Sequence, residues 1–185
     1  MNKRYWHTLK LFFIKSPMKR AKYLKKNNIF HSIGDKVIIT SRKIPLYSEL
    51  ISIGNNVWIA SGVEFITHDV THYMLNNMQA NYNIKEKVGC IYIGDNVFIG
   101  SGTKILYNVR VGSNVIIAAG SIVTKDIPDN SVVAGIPATI VCDFKDYLIK
   151  RSKFNPKYSP DNLSQKISED CESEMWNRFF AQRDR

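Results

Sequence analysis

Aliphatic residues recur every six positions between residues 93 and 128. The lines read Ile93-Gly94-Asp95-Asn96-Val97-Phe98, Ile99-Gly100-Ser101-Gly102-Thr103-Lys104 and Ile105-Leu106-Tyr107-Asn108-Val109-Arg110, and continue in the same register to Pro128. The fifth residue of one line and the first of the next lie two apart, so they share one face of a strand. That face is the apolar one and is predicted to point inward. The fourth slot holds Asn96, Gly102, Asn108, Asn114 and Gly120. Asn and Gly accept a left-handed backbone at low cost, so each line predicts a short strand and then a corner. Three lines close a triangle, which makes one coil 18 residues. A fixed short period of this kind predicts a solenoid in which each unit buries its face on its neighbours.

The same register is present at Ile53-Gly54-Asn55-Asn56-Val57-Trp58, Ile59-Ala60-Ser61-Gly62-Val63-Glu64 and Phe65-Ile66-Thr67-His68, and more faintly from Ile33 to Ile38. Phe65 and Ile93 are 28 apart, which is not a multiple of six. An insertion from about Asp69 to Cys90 accounts for the break. A sandwich of ordinary alternating strands would place turn signals every 8–12 residues, which is not the spacing here. The expected organisation is a helical segment over 1–30, a repeat domain over 31–141 interrupted by the loop 69–90, and a helical tail over 142–185.

Charge separates these parts. The net charge is +10, but residues 1–30 hold nine lysines and arginines and no acidic residue. Residues 31–150 hold ten of each sign. The basic character therefore belongs to the N-terminal segment. Ser16-Pro17 reads there as a helix N-cap followed by Pro at the first helical position. A basic aromatic helix suits a membrane surface or an acidic partner. A solvated helix beside the coil is the plainer reading of such a charge run and weighs more. Nucleic acid is not expected, because no binding motif accompanies the charge. The apolar stretch Leu11 to Ile14 is too short for a signal peptide, and no run is long enough to span a membrane. Cys90, Cys142 and Cys171 are odd in number and lack metal spacing, which fits a reducing cytoplasm. Met175-Trp176 and Phe179-Phe180 predict a C-terminal helix.

Of the four histidines, His68 stands apart. It takes the fourth slot of its line, so it is expected at a left-handed corner with its side chain outside the coil, immediately before the insertion. Loops on rigid scaffolds are where function tends to lie. His72 follows four residues on, but no third ligand is evident and a zinc site needs at least three. No metal is expected.

The stretch Ile117-Ala118-Ala119-Gly120-Ser121-Ile122-Val123-Thr124-Lys125-Asp126-Ile127-Pro128, with the ending Val133-Ala134-Gly135-Ile136-Pro137-Ala138, resembles the hexapeptide-repeat acyltransferases. The likeness covers about residues 33 to 141 and is nearest to the galactoside, maltose and cell-surface polysaccharide O-acetyltransferases. It implies a left-handed parallel β-helix, a hand that periodicity does not give and that opposes the usual crossover of parallel strands. It implies a homotrimer, with acetyl-CoA as co-substrate in the cleft between neighbouring coils. By match to the family pattern, His68 is the expected catalytic base, and Ser101, Ala119, Thr124 and Lys125 line the CoA channel. Ser101 and Ala119 also fit as small residues that let coils stack. Thr139 stands where galactoside-type enzymes often carry a basic residue near the CoA phosphate, so that contact would fall to Lys125 or the tail.

The implied chemistry is attack of an acceptor hydroxyl on the acetyl thioester. A hydroxyl is a poor nucleophile until its proton is removed, and an imidazole is suited to take it. Asp69 and Glu86 are the candidates, beside a backbone carbonyl, for orienting the other ring nitrogen. The loop residues Tyr73, Asn76, Asn77, Gln79, Asn81 and Tyr82 have the amide and aromatic groups that suit a sugar, Tyr73, Asn76 and Tyr82 foremost. O-acetylation of a sugar in cell-surface polysaccharide assembly is the leading expectation, in the cytoplasm, with peripheral contact at the inner membrane the less favoured reading of the basic segment. N-acetylation of a nucleotide-linked amino sugar, acetylation of serine or an antibiotic, and a non-catalytic trimeric scaffold are the alternatives. A γ-type carbonic anhydrase is disfavoured by the missing third histidine.

Overall fold

The computed structural model of the protein describes residues 3–78, 82–159 and 166–183. By its contacts the chain forms two compact units, Met1–Tyr147 and Leu148–Arg185. In the first unit the repeat folds as three sheets that the chain visits in rotation. The first sheet stacks Ser32–Ile33, Ile51–Ile53, Ile91–Ile93 and Val109–Val111. The second stacks Ile38–Ile39, Val57–Ile59, Val97–Ile99, Val115–Ile117, Ser131–Gly135 and Ala138–Asp143. The third stacks Glu64–Ile66, Lys104–Leu106 and Ile122–Val123.

A three-residue strand explains the burial. In the first two sheets its outer two residues face inward and its middle residue faces out, whereas in Lys104–Leu106 of the third sheet the middle residue, Ile105, faces inward. Thus Ile93, Ile99, Ile105, Val111 and Ile117 are fully buried, while Tyr92, Phe98 and Trp58 are exposed. Each buried aliphatic side chain contributes about 1.5–3 kcal/mol relative to exposure. Stacking like on like is what makes a six-residue pattern a core.

The corners behave as the fourth slot predicts at most positions. Asn56, Asn96, Asn108 and Asn114 have φ of 53°, 56°, 58° and 56°, and Gly62, Gly102 and Gly120 have φ of 72°, 72° and 74°. The asparagines add a link that the sequence reading did not include. Asn56 Nδ2 donates to Asn96 Oδ1 at 2.9 Å, Asn96 to Asn114 at 3.0 Å, and Asn114 to Asn130 at 2.9 Å. A second ladder runs through the third slot. The Asn55 and Ser113 backbone N–H groups donate to Asp95 at 2.6 Å and Asp129 at 2.8 Å.

The 18-residue coil holds in the middle of the stack and not at its ends. Val97 pairs with Val115, a step of 18, but Ile38 pairs with Trp58, a step of 20, and Val115 with Ser131, a step of 16. Asp126 sits in the shortened corner and caps the Arg110 N–H at 2.8 Å. The expected all-parallel arrangement is also incomplete. After Ile136-Pro137 the chain reverses and Ala138–Asp143 pairs antiparallel with Ser131–Gly135. That reversal lies inside the segment expected to end the coil.

Two helices precede the repeat, α1 (Lys3–Phe13) and α2 (Pro17–Lys26). Ser16 caps α2 by accepting from the Lys19 N–H. Arg20 of α2 is 3% exposed and donates to the carbonyls of Ile14, Lys15, Ile39 and Thr40 at 2.7–3.0 Å. Burial and, secondarily, Arg42 lower its pKa, and the four carbonyls take up its charge. In the insertion, α3 (Thr71–Met78) was not expected. At the end of the repeat comes α4 (Phe144–Ser152). The second unit contains α5 (Glu169–Ala181), capped by Ser168 and carrying Trp176, Phe179 and Phe180 as one aromatic cluster.

Candidate active site

The insertion leaves the coil at His68. Val57 pairs with Val97, a step of 40, so the excursion adds 22 residues to an 18-residue coil. A short antiparallel ribbon closes its neck, with His68 opposite Val88 and Asp69 opposite Lys87. Gly89 N–H then donates to the Thr67 carbonyl at 2.9 Å, and Cys90 takes the place beside Asn108 that His68 would have held.

This overturns the expected backbone of His68. It is extended and absent from the left-handed positions among the described residues. The physical reason is that no corner is turned there: the chain runs straight out into the ribbon. The side chain is half-buried, not projecting freely. Its ring meets the ring of Tyr47 edge-on, with centroids 5.5 Å apart and planes at 89°. Thr67, fully buried, donates its hydroxyl to the Leu46 carbonyl at 2.7 Å. That bond ties the segment carrying Tyr47 beside His68.

Neither expected carboxylate hydrogen-bonds to His68. Asp69 accepts from the Thr71 N–H at 2.8 Å and from the Tyr107 hydroxyl at 3.4 Å. These bonds, Thr71 first, hold its carboxyl below the usual range. Glu86 accepts from the Tyr47 hydroxyl at 2.9 Å, which raises the Tyr47 pKa. Glu86 therefore bears on His68 only through Tyr47. Sequence reasoning missed Tyr47, which stands at φ of 50° ahead of the turn Ser48–Leu50 and has no signal of its role in the sequence. The Nδ1 of His68 is buried and has no hydrogen-bond partner among the described residues. A buried polar atom left in this state is costly unless a ligand or another chain completes it.

The other expected residues fall in two groups. Ser101 and Ala119 are exposed and stacked at the corner that precedes the third sheet, with Gly120 N–H donating to the Ser101 carbonyl at 2.8 Å. Gly102 and Gly120 have open space where a side chain would begin. This corner is a smooth track lined by backbone. Thr124 and Lys125 are exposed at the opposite corner, the one His68 precedes on the earlier coil. A three-residue strand spans about 10 Å. The third sheet therefore separates the Ser101 track from His68 within one copy of the chain.

In the loop, Tyr73 and Tyr82 are 69% and 60% exposed. Asn76 has a structural use instead. It donates to the Ile84 carbonyl and accepts from the Ile84 N–H, both at 2.9 Å, and so clamps the loop. Gln79 and Asn81 lie outside the described residues. The His72 ring lies tilted against Tyr73, centroids 4.4 Å apart, and no group of three His, Cys, Asp or Glu among the described residues is placed to hold a metal.

Residues 90–125 match the family model described as bacterial transferase hexapeptide (six repeats). Within residues 90–125 the repeat is the one this family model describes. The galactoside O-acetyltransferase of Escherichia coli (strain K12) is 39% identical over 112 residues, covering 55% of this chain and 53% of that protein. The chain spans about half the length of the curated relatives it matches. A maltose O-acetyltransferase from Clostridium difficile 630 superposes with a TM-score of 0.51 at 27% identity, covering 76% of this chain and 86% of that one. A hexapeptide-repeat acetyltransferase from Vibrio cholerae, solved in complex with acetyl coenzyme A, shares the fold with a TM-score of 0.55 at 24% identity, over 76% and 86% of the two chains. Around this repeat the chain carries a basic helical pair before it and a 22-residue ribbon-closed excursion within it.

Proposed function

We propose that the protein is an acetyl-CoA-dependent O-acetyltransferase acting on a sugar hydroxyl, with His68 as the catalytic base. The observation that carries this reading is the half-buried His68 at the neck of the insertion, its Nδ1 unpartnered and its ring held by Tyr47. Acetyl-CoA supplies an activated acyl group as a thioester. His68 takes the proton from the acceptor hydroxyl as that oxygen attacks the acetyl carbon. The C–S bond breaks, and His68 returns the proton to the departing thiolate. No enzyme nucleophile is needed, because both substrates meet in one cleft and positioning carries much of the rate.

The separation of His68 from the Ser101 track is read as the mark of a composite site. In a left-handed β-helix assembled as a closed head-to-tail trimer, one copy's His68 edge faces another copy's Ser101 and Ala119 edge. Ser101 and Ala119 then flank the pantetheine arm, and Thr124 and Lys125 lie toward the phosphates. Tyr73 and Tyr82 present ring faces to the sugar. The relatives named for galactoside and maltose acetylation support a carbohydrate acceptor. A role in cell-surface polysaccharide synthesis in the cytoplasm is the setting we assign to it.

Thiol release from acetyl-CoA across a panel of sugars and amino sugars tests the reading. Wild-type protein is expected to release thiol with a hydroxyl acceptor, and His68→Ala to lower the rate about 10²–10⁴-fold, the usual share of a general base. A correctly folded His68→Ala with full activity would remove His68 from the mechanism. Preference for an amine over every hydroxyl would turn the reading to N-acetylation, and no thiol release with any acceptor would leave a scaffold.

A further inference from the structure

The orientation of α1 is the reverse of what a surface helix shows. On such a helix the apolar stripe faces the core and the polar face meets water. On α1 the side chains of Tyr5, Trp6, Leu9, Phe12 and Phe13 are 45–80% exposed. At 100° per residue they fall on one arc, with Lys10 at its margin. The opposite side holds Leu11, which is 1% exposed, and His7. His7 Nδ1 lies 2.7 Å from the Tyr23 hydroxyl of α2, and that bond fixes the roll of the helix. The apolar arc is therefore held outward by a specific contact.

Charge selects the occupant. Residues 1–30 carry nine basic and no acidic side chains, whereas residues 31–150 carry equal numbers. The repeat domain of a second copy carries no net charge to attract it, and two such segments repel each other. Phosphates of nucleic acid would satisfy the lysines but leave five large apolar side chains in water. A bilayer with anionic headgroups satisfies both, taking the aromatic arc into its interface and the lysines at its surface. Among the described residues no helix is long and apolar enough to cross a membrane, so contact would be from one side.

We infer that α1 is a membrane-docking helix that seats Tyr5, Trp6, Leu9, Phe12 and Phe13 in the interface of an anionic bilayer. The arc needs no refolding to do so, because it is already outward and its lysine margin already placed. The inference stands apart from the proposed chemistry and does not require it.

The test is sedimentation of the full chain with phosphatidylcholine vesicles, with and without phosphatidylglycerol. Binding is expected only with the anionic lipid and is expected to fall in high salt. The double variant Phe12→Ser and Phe13→Ser should lower the partition coefficient at least tenfold, and Lys10→Gln about fivefold. Both leave the buried Leu11 and His7 in place, and unchanged circular dichroism checks their fold. Absence of binding to anionic vesicles, or equal binding to neutral ones, overturns the inference. So does a double variant that loses oligomeric mass by light scattering while keeping its vesicle binding; the arc is then a contact between copies.

Discussion

Substitution of Asn96 separates the two contributions that the fourth slot makes. Asn96 sits at φ of 56°, accepts from Asn56 at 2.9 Å and donates to Asn114 at 3.0 Å. Asn96→Ala removes both side-chain bonds and leaves a Cβ in the left-handed region without the local polar compensation of Asn. The bonds are exposed, so the orphaned amides rehydrate and each is taken at the low end, about 0.5 kcal/mol. The left-handed Cβ costs about 1 kcal/mol. Asn96→Ala is therefore expected to destabilise by about 2 kcal/mol. Asn96→Gly loses the same two bonds but not the backbone tolerance, and should cost about 1 kcal/mol. Urea unfolding followed by far-ultraviolet circular dichroism measures both. It must be run at one protomer concentration, since assembly would make stability concentration-dependent. A Gly variant no more stable than the Ala variant would refute the left-handed-corner argument. Two neutral variants would refute the ladder as well.

Three further outcomes are expected. Arg20→Met strands the carbonyls of Ile14, Lys15, Ile39 and Thr40 and should cost about 3–5 kcal/mol, read by urea unfolding; a loss below about 1 kcal/mol would deny the buried guanidinium its role. Gly100→Ala drives a Cβ into the Ala119 backbone, which cannot yield, whereas Gly102→Ala meets open space and only the strain of φ 72°. The first should exceed the second by more than about 1 kcal/mol in the same unfolding measurement, and equal costs would contradict the close stacking of that corner. Asp69 has its folded pKa below its ordinary 3.8, so it adds stability above that pH and loses it as pH falls through the folded value. Asp69→Asn should flatten the acid side of the stability curve, and an unchanged acid slope would exclude that linkage.

The coil was readable because its determinants are local. A short strand needs apolar residues at its inward positions, and a corner needs Asn or Gly, so both are written in consecutive letters. Register at the ends was not readable in that way. The step of 20 at Ile38 and of 16 at Ser131 come from lengths of connecting chain that no slot residue announces. The reading of His68 shows both sides of this. Its slot and the broken period located the place where the chain leaves the coil. The same slot suggested a corner conformation that the exit itself abolishes. Its neighbours were harder still. Asp69 and Glu86 were named by chain proximity, yet the ring against His68 belongs to Tyr47, brought there by a buried Thr67 bond to a distant carbonyl. Partners made through tertiary tethers leave no periodic trace.

The two ends of the second sheet carry a consequence for how copies of this chain can add to one another. A stack of parallel strands is in principle extensible, since each coil offers the next a ready row of donors and acceptors. Here the Ile39 and Thr40 carbonyls at one end are taken by Arg20, and at the other end the last strand runs backwards. A further coil docking end-on would find occupied acceptors below and an opposed strand polarity above. End-on addition of a further parallel coil to this sheet is thus disfavoured at both of its edges.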